Sequence, residues 1–386
     1  MKTKKELELY VHIPFCVRKC AYCDFLSAPA GEQTRAQYID ALVDEIKAYQ
    51  SHDLAKNRVV TTIFFGGGTP SILEGDSLVQ IVTAIRDTFE VVSDAEITIE
   101  VNPGTVTGDK LEKYRSVGVN RMSFGLQSTD NAALKNLGRI HTYEEFLESY
   151  QLARDCGFDN INVDLISAIP KQTLSAWEQD LERVIALAPE HISAYSLIVE
   201  EGTPFAGLYG EGAEREGDLP SEEEERLMYQ RTEEILARAG YHRYEISNYA
   251  REGKACRHNL GYWNRTDYLG LGLGASSLVN QTRFKNTEIL EEYLKDSGNP
   301  DTMRRETEHL SLLEQMEETV FLGLRKMQGI SIEEVRAQFG PVFEIRYGDN
   351  IRRMENEGLI VIEDPYFKLT KKGIDVSNYV FAEVLK

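Results

Sequence analysis

The sequence predicts an α/β fold: a partial (β/α)6 barrel of the TIM type, followed by a small, mainly helical C-terminal domain that looks like a winged helix. Residues 7 to about 197 alternate short β-branched runs with amphipathic stretches, as strand–helix units around a parallel sheet do. Distinctive polar residues follow the ends of these strands, where barrel enzymes keep their sites. Beyond about residue 309 the pattern changes to helices and a hairpin. A chain of 386 residues is also too long for one small core.

The barrel is predicted to occupy residues 1–205. Segments such as 38–49 and 177–187 carry apolar residues at three- and four-residue steps, which predicts helices with one buried face. Short β-branched runs alternate with these segments and predict the six strands at residues 7–13, 59–65, 95–101, 119–125, 159–166 and 191–197.

Residues 206–300 are predicted to extend the barrel and to link it to the C-terminal domain, residues 301–386. The acidic stretch 211–225 should begin as a solvated loop, and Ser221 is placed to cap a helix that runs to about residue 239. In the C-terminal domain a hairpin is expected to bend at Pro365. The helices of that domain are predicted at residues 310–327, 332–339 and 343–357.

Charge and hydropathy limit the classes of partner. Lys and Arg number 43 against 63 Asp and Glu, a net charge of -20, which repels phosphate backbones, so nucleic acid is not an expected partner. A DNA-binding regulator stays a third hypothesis, on the winged-helix pattern alone. No stretch approaches the roughly 20 apolar residues of a membrane span, and no basic amphipathic stretch suggests lipid binding. The N-terminus lacks the apolar core of a secretory signal. We therefore expect a cytoplasmic protein without direct membrane insertion.

Three cysteines, Cys16, Cys20 and Cys23, stand close together in HIPFCVRKCAYCDF. Iron–sulfur clusters usually take four thiolates, and the other cysteines, Cys156 and Cys256, lie far away in sequence. Three thiolates would leave one iron of a 4Fe-4S cluster with an exchangeable ligand. A zinc site is the first alternative, but it needs a fourth ligand. A disulfide is the second alternative, and the odd number of cysteines disfavours it.

Polar and glycine-rich residues recur at the ends of the next predicted strands. The stretch GGGTPS, residues 66–71, lacks the lysine of a phosphate loop, so its glycines would let the backbone approach a small ligand. Glu100, Gln127 and Asp164 follow at later strands, and a carboxylate there can accept hydrogen bonds from a ligand. Glu100 could instead form a salt bridge, and Gln127 could satisfy a buried backbone group.

A second informative stretch, CRHNLGYWNRTDYLGLGLGASS, contains the pattern HNxxYW. It comprises His258, Asn259, Tyr262 and Trp263. Imidazole is a common metal ligand and a frequent axial ligand of haem iron, and aromatic rings pack well against a porphyrin. A histidine among aromatic residues is more often a packed, hydrogen-bonded side chain, so both interpretations stay open.

CxxxCxxC with an aromatic residue before the last cysteine, here Tyr22, resembles the signature of the radical S-adenosylmethionine (SAM) superfamily. The resemblance implies that SAM chelates the open iron and that an electron from the cluster releases a 5'-deoxyadenosyl radical. It also implies that the backbone of the glycine motif meets the methionyl amino group. The residues that match the family's SAM-binding positions are Tyr10, Tyr22, Gly67, Gly68, Thr69, Glu100, Gln127, Arg139 and Asp164.

From about residue 8 to its end, the chain resembles the haem-chaperone branch of the oxygen-independent coproporphyrinogen III oxidase family. The resemblance runs through LYVHIPFC, FFGGGTPS, VNRMSFGLQS, VDLISAIP, HISAYSLIVEEGTPF and HNLGYW. The oxidases read CxxxCxxCxC, whereas Phe25 occupies the position of that fourth cysteine here, and HNxxYW is a mark of the chaperone branch.

This resemblance implies a protein that binds haem beside a SAM-ligated 4Fe-4S cluster and passes haem to acceptor proteins, with respiratory haem proteins as one class. His258 is the first expected haem contact and Cys256 is the reserve. An oxidase that acts on coproporphyrinogen III through the adenosyl radical is the alternative, and the change at Phe25 speaks against enzyme activity of that kind. The sequence does not predict the oligomeric state.

Overall fold

The parallel sheet predicted for the first half of the chain is present in the computed structural model, which describes residues 4–385. The outer residues 1–3 and 386 of the predicted domains lie outside the described residues. All six predicted strands form, and the elements of this half are β1 Lys5–Ile13, α1 Glu32–Ala48, β2 Arg58–Gly67, α2 Gly75–Thr88, β3 Val91–Val101, α3 Gly108–Ser116, β4 Arg121–Gln127, α4 Asn131–Asn136, α5 Tyr143–Asp155, β5 Ile161–Ser167, α6 Leu174–Ala186 and β6 His191–Ser196.

Side chains along β1 point alternately to the hydrophobic core under the helices and to the interior of the barrel. Leu7, Leu9 and Val11 are fully buried in the hydrophobic core that the helices share. Because successive side chains of a strand point to opposite faces, Glu8 and Tyr10 lie on the other face, which is the interior of the barrel. This interior is polar, and it positions the residues described below.

The middle region extends the sheet at both edges. β8 pairs antiparallel with β6, and β9 pairs parallel with β1, so the order is β12-β11-β10-β9-β1-β2-β3-β4-β5-β6-β8-β7. β12 lies in this large sheet, a few residues past the predicted boundary at residue 300. The elements are α7 Pro204–Tyr209, α8 Glu222–Arg238, β7 His242–Arg243, β8 Asn248–Ala250, α9 Arg257–Trp263, β9 Tyr268–Leu271, β10 Ser276–Val279, β11 Thr282–Asn286, α10 Leu290–Asp296, α11 Pro300–Met303 and β12 Arg304–His309.

The acidic stretch behaves as its sequence predicts. Ser221 caps α8 through a capping box with Glu224, whose backbone N–H donates to the Ser221 hydroxyl at 3.3 Å. The residues before it, 211–220, are all exposed or partly exposed, with a short 3-10 turn at Glu216–Asp218. Four glutamates in the first turn of α8 lie at the positive end of the helix dipole, where they stabilise it.

The C-terminal region has the order of elements of a winged helix. One helix, a short strand, two helices and a hairpin form a second hydrophobic core around Val320, Tyr347 and Met354. The three strands pair in the order β13-β15-β14. These elements, followed by two short helices, are α12 Leu312–Gly323, β13 Ile330–Ser331, α13 Ile332–Phe339, α14 Pro341–Asn356, β14 Ile360–Glu363, β15 Tyr366–Leu369, α15 Lys371–Asp375 and α16 Ser377–Val384.

Polar contacts fasten this region to the barrel extension. Arg265, just after α9, forms an ion pair with Glu318 of α12 at 2.9 Å. The Arg325 guanidinium lies 4.6 Å from the centre of the Trp263 ring, which is cation–π geometry. Among residues 4–385, no helix is both long enough and apolar enough to span a bilayer.

Candidate functional site

The three clustered cysteines lie in the loop between β1 and α1, at the carboxyl end of the parallel strands. Backbone hydrogen bonds hold this loop, with Cys16 N donating to Ala28 O at 3.2 Å and Ala21 N donating to Leu137 O at 3.3 Å. All three thiols are free and half-buried. The loop is therefore fixed in place while its sulfur atoms stay accessible.

Two side chains donate hydrogen bonds to these sulfurs. Thr69 Oγ1 lies 3.5 Å from Cys16 Sγ, and Arg139 Nη1 lies 3.6 Å from Cys20 Sγ. Burial raises the pKa of the Cys23 thiol. In the described part of the chain, no three His, Cys, Asp or Glu side chains are arranged to hold a single metal ion. A 4Fe-4S cluster does not need such convergence, because each thiolate binds a different iron.

The glycine motif packs directly on the cysteine loop. Gly68 N donates to Ile13 O at 2.8 Å and Thr69 N donates to Phe15 O at 2.7 Å. A Cβ on Gly68 would lie 2.6 Å from Phe15 O. Gly67 has φ of 109°, and a Cβ there would lie 2.4 Å from the His12 ring. Glycine is required at both positions, and this close packing carries Thr69 to the Cys16 sulfur.

Two acids lie side by side in the barrel interior. Gly67 N donates to Glu100 Oε2 at 3.2 Å, and Ser123 Oγ donates to Asp164 Oδ2 at 3.2 Å. Burial, and then the charge of Asp164, raises the pKa of Glu100 to about 8. Burial also raises the pKa of Asp164. Glu100 is therefore protonated at neutral pH and offers both a donor and an acceptor.

Gln127, Asn102 and Arg139 surround Gly125 at the end of β4. A Cβ on Gly125 would lie 3.1 Å from Gln127 Nε2, 3.2 Å from Asn102 Oδ1 and 3.3 Å from Arg139 Nη2. Gln127 has φ of 76°, a left-handed conformation that is strained for a residue with a side chain. Buried Arg139 Nε has no partner among the described residues. The polar ends of Gln127 and Arg139, two of the predicted SAM-binding residues, thus lie together at the end of β4.

Asn102 is a site residue that sequence reasoning missed. Its Nδ2 donates to Thr69 Oγ1 at 2.8 Å, and its Oδ1 accepts from Arg139 Nη2 at 2.8 Å. The only signal in the sequence was its place two residues after Glu100, just beyond the end of β3, where strand-end site residues are expected. With Cys20, Thr69 and Arg139, it lines a small pocket beside the cysteine loop.

Tyr10 and Tyr22 lie on either side of this region. The Tyr10 hydroxyl is 3.1 Å from His12 Nδ1, and burial raises the pKa of Tyr10. Tyr22 packs edge-on against Phe205, with ring centres 6.2 Å apart. His12 precedes the cysteine loop and bonds through Nε2 to Leu26 O at 2.9 Å, so both of its ring nitrogens are engaged within the protein.

The HNxxYW residues form α9, and α9 packs into the barrel interior. His258 is 1% exposed, with Nδ1 2.7 Å from Thr62 Oγ1 and Nε2 3.1 Å from the Tyr262 hydroxyl. Burial lowers the pKa of His258 to about 3, and burial raises the pKa of Glu8 to about 9. Both groups are neutral at pH 7, so the 3.8 Å contact between them is not an ion pair.

Strand β3 supplies the cap that α9 lacks. Glu96 accepts from Arg257 N at 3.0 Å and from His258 N at 3.1 Å, and the Cys256 thiol donates to it at 3.4 Å. Burial raises the pKa of Cys256 to about 12, so its sulfur is a thiol and not a thiolate.

The other three HNxxYW side chains have different surroundings from one another. Tyr262 meets Tyr268 edge-on with ring centres 4.8 Å apart, Asn259 is half-buried, and Trp263 contacts the C-terminal domain. The structure therefore does not bring the four HNxxYW side chains to one point. Phe64 stacks on His258, with ring centres 5.1 Å apart, and also on Tyr10, at 6.4 Å. The two predicted sites thus share Phe64 as a neighbour.

The fold and the site together define a radical SAM protein. They comprise a partial (β/α)6 barrel, a three-cysteine loop, a glycine motif packed on that loop and polar residues at the ends of the strands. Residues 10–184 match the Radical SAM superfamily, and residues 310–376 match the HemN C-terminal domain. A solved structure, the coproporphyrinogen III oxidase HemN from Escherichia coli, described as a radical SAM enzyme, is similar with a TM-score of 0.84 and 25% identity, over 99% of this chain and 90% of that one.

Two curated relatives identify the family within the superfamily. The chain is 37% identical to "Heme chaperone HemW" of Lactococcus lactis over 99% of this chain and 98% of the relative. It is 35% identical to "Heme chaperone HemW" of Bacillus subtilis over 97% of this chain and 98% of the relative. The chain belongs to the HemW family of the radical SAM superfamily.

Proposed function

We propose that the protein is a cytoplasmic haem chaperone, which binds haem, carries a SAM-ligated 4Fe-4S cluster and passes haem to acceptor proteins. The observation that carries the proposal is similarity to relatives named as haem chaperones along almost the whole chain. Respiratory haem proteins are the proposed acceptors.

The donor set at the mouth of the barrel fits a cluster and SAM. Cys16, Cys20 and Cys23 would hold three irons, and the fourth would accept the amino and carboxylate groups of SAM. Arg139 keeps a buried Nε without a partner, as a donor for a carboxylate. When bound, a reduced cluster supplies the electron that can cleave the sulfonium bond of SAM.

The remaining predicted residues would bind the rest of SAM. Gly67 and Gly68 would bring their backbone to the methionyl amino group, because their close packing on the cysteine loop sets that backbone beside the cysteines. Thr69, Glu100, Gln127 and Asp164 would supply hydrogen-bonding groups. Tyr10 and Tyr22 would close the sides. The protonated Glu100 can donate to one ligand atom and accept from another, which an ionised acid cannot do.

His258 is the proposed haem ligand. Its low pKa keeps the imidazole neutral at pH 7, which is the form that binds iron. Each ring nitrogen of His258 already has a hydrogen-bond partner, Thr62 at Nδ1 and Tyr262 at Nε2. One of these hydrogen bonds must therefore break before the imidazole can bind iron. Asn259, Tyr262 and Trp263 are proposed to contact the bound haem after that exchange.

An anaerobic haem titration of cluster-reconstituted protein tests the assignment. Wild type should give a saturable, stoichiometric shift of the Soret band. His258→Ala should weaken haem binding at least tenfold with unchanged iron and sulfide content, whereas the exposed control His309→Ala should behave as wild type. Equal affinity in wild type and His258→Ala would move the ligand elsewhere, and absence of saturable binding in wild type would contradict the chaperone.

A second candidate is an oxygen-independent coproporphyrinogen III oxidase. The TM-score of 0.84 with that enzyme over nearly the whole chain favours it. Phe25 speaks against it, because this side chain is 68% exposed and occupies the position of the oxidases' fourth cysteine. Anaerobic incubation with coproporphyrinogen III, SAM and a strong reductant decides the question, since only the oxidase would produce protoporphyrinogen.

A further inference from the structure

Asn102 connects two of the proposed cluster ligands through an unbroken chain of hydrogen bonds. On one side, Asn102 bonds to Thr69 at 2.8 Å and Thr69 bonds to the Cys16 sulfur at 3.5 Å. On the other side, Asn102 bonds to Arg139 at 2.8 Å and Arg139 bonds to the Cys20 sulfur at 3.6 Å. The amide therefore lies between two groups that each donate to a ligand sulfur.

The direction of every bond in this chain follows from Arg139. A guanidinium can only donate, so the atom of Asn102 that faces it must be the carbonyl oxygen. The amide nitrogen then faces Thr69 and donates to its hydroxyl oxygen. Since that oxygen accepts from Asn102, the hydroxyl hydrogen is free to point at the Cys16 sulfur.

Neighbouring polar groups hold Asn102 and Arg139 in this arrangement. Ser71 Oγ accepts from Asn102 N at 3.2 Å, and Thr105 Oγ1 donates to Asn102 O at 2.6 Å. Arg139 Nη2 also donates to Gly125 O at 2.6 Å. The amide is thus fixed through its backbone, and the guanidinium through the carbonyl at the end of β4.

We propose that Asn102 is a positioning residue for the cluster: it makes the sulfurs of both Cys16 and Cys20 hydrogen-bond acceptors and thereby raises the cluster's reduction potential. The inference rests on the proposed function, because it requires a cluster on these cysteines. Hydrogen bonds to the sulfurs are one of the factors that set cluster potentials, since a donor stabilises the extra negative charge of the reduced state. Aspartate would accept from both Arg139 and Thr69 and would turn the Thr69 hydrogen away from Cys16.

The test is a redox titration of reconstituted full-length protein, followed by electron paramagnetic resonance. Asn102→Asp and Thr69→Val should both shift the cluster potential to more negative values, because each removes the donor to Cys16. Thr69→Ser keeps the hydroxyl group and should therefore have the same cluster potential as wild type. Asn136→Asp adds the same charge at an exposed position of α4 and should leave the potential unchanged.

The outcomes separate this inference from the proposed function. A wild-type protein that takes up no cluster would overturn the proposed function and this inference with it. A normal cluster whose potential is the same in wild type, Asn102→Asp and Thr69→Val would overturn only the role of Asn102. If Asn102→Asp does not fold, the comparison of Thr69→Val with Thr69→Ser is decisive, because neither substitution changes charge.

Discussion

Glu100 is a single residue whose environment makes the stability of the whole barrel depend on pH. Its carboxyl group is buried beside Asp164, and its pKa rises from the ordinary 4.5 to about 8. Between these values the folded protein holds a proton that the unfolded chain has released. The free energy of unfolding therefore falls as pH rises through this window, by on the order of 1 kcal/mol per pH unit for one such group.

We expect Glu100→Gln to reduce this dependence, because glutamine keeps an acceptor for Gly67 N and carries no charge. Urea unfolding at pH 6 and pH 8 measures the slope for wild type and variant. The control Glu112→Gln, on the exposed face of α3, should keep the wild-type slope. An unchanged slope in Glu100→Gln would show that Glu100 does not account for it.

Individual residues also show what a sequence can and cannot predict about this site. The cysteines, the glycine motif and Glu100 belong to continuous motifs beside strands, so their common position could be predicted. Asn102 could not be ranked above its neighbours, because its importance comes from Thr69 and Arg139, which the fold brings to it from the loops after β2 and α4. The contacts of His258 depend in the same way on Thr62 and Tyr262.

At the scale of elements, α9 is held in the barrel interior by a close fit to β1. A Cβ on Gly261 of α9 would lie 1.9 Å from Glu8 Oε1, so no larger residue fits without movement. We expect Gly261→Ala to destabilise the protein by about 2 kcal/mol, as overpacking of a filled interior does. Denaturant unfolding measures the change.

Gly207→Ala in α7 is the matched control for this substitution. No atom lies within 4 Å of a Cβ at that position, and the residue is helical, so alanine should be neutral or stabilise by up to about 1 kcal/mol. Equal stability of Gly261→Ala and wild type would mean that α9 is not packed against Glu8 in solution.

Most elements were predictable from periodicity, and their ends less so. The six parallel strands and the helix Ile332–Phe339 were predicted from continuous apolar patterns. α9 has only seven residues and a polar, aromatic composition, and its cap comes from Glu96 of a distant strand. No local pattern indicates a helix of that kind, because tertiary contacts stabilise it.

At the scale of the whole molecule, Glu318 links the C-terminal domain to the barrel extension through ion pairs with Arg265 and Arg283. Arg265 is 4% exposed and Glu318 19% exposed, so removing the acid leaves a buried guanidinium whose one other side-chain acceptor among the described residues is Gln281. We expect Glu318→Ala to cost about 3 kcal/mol and to make the C-terminal domain more sensitive to limited proteolysis. Glu355→Ala, at an exposed position of α14, should do neither.

If the C-terminal domain of Glu318→Ala resists protease as well as that of wild type, other contacts, such as that of Arg325 with Trp263, hold the domain in place. The two-part architecture was predictable from the change of pattern near residue 309. The way the parts dock was not, because in the sequence Arg265 and Glu318 resemble ordinary surface residues and Trp263 is assigned to the HNxxYW motif.

The Phe64 ring stacks on two side chains that belong to different proposed sites: Tyr10 at the SAM site and His258 in the haem motif. The two sites therefore cannot diverge independently in evolution. A substitution at position 64 that suits a new small molecule on one side is selected at the same time by its effect on the imidazole on the other.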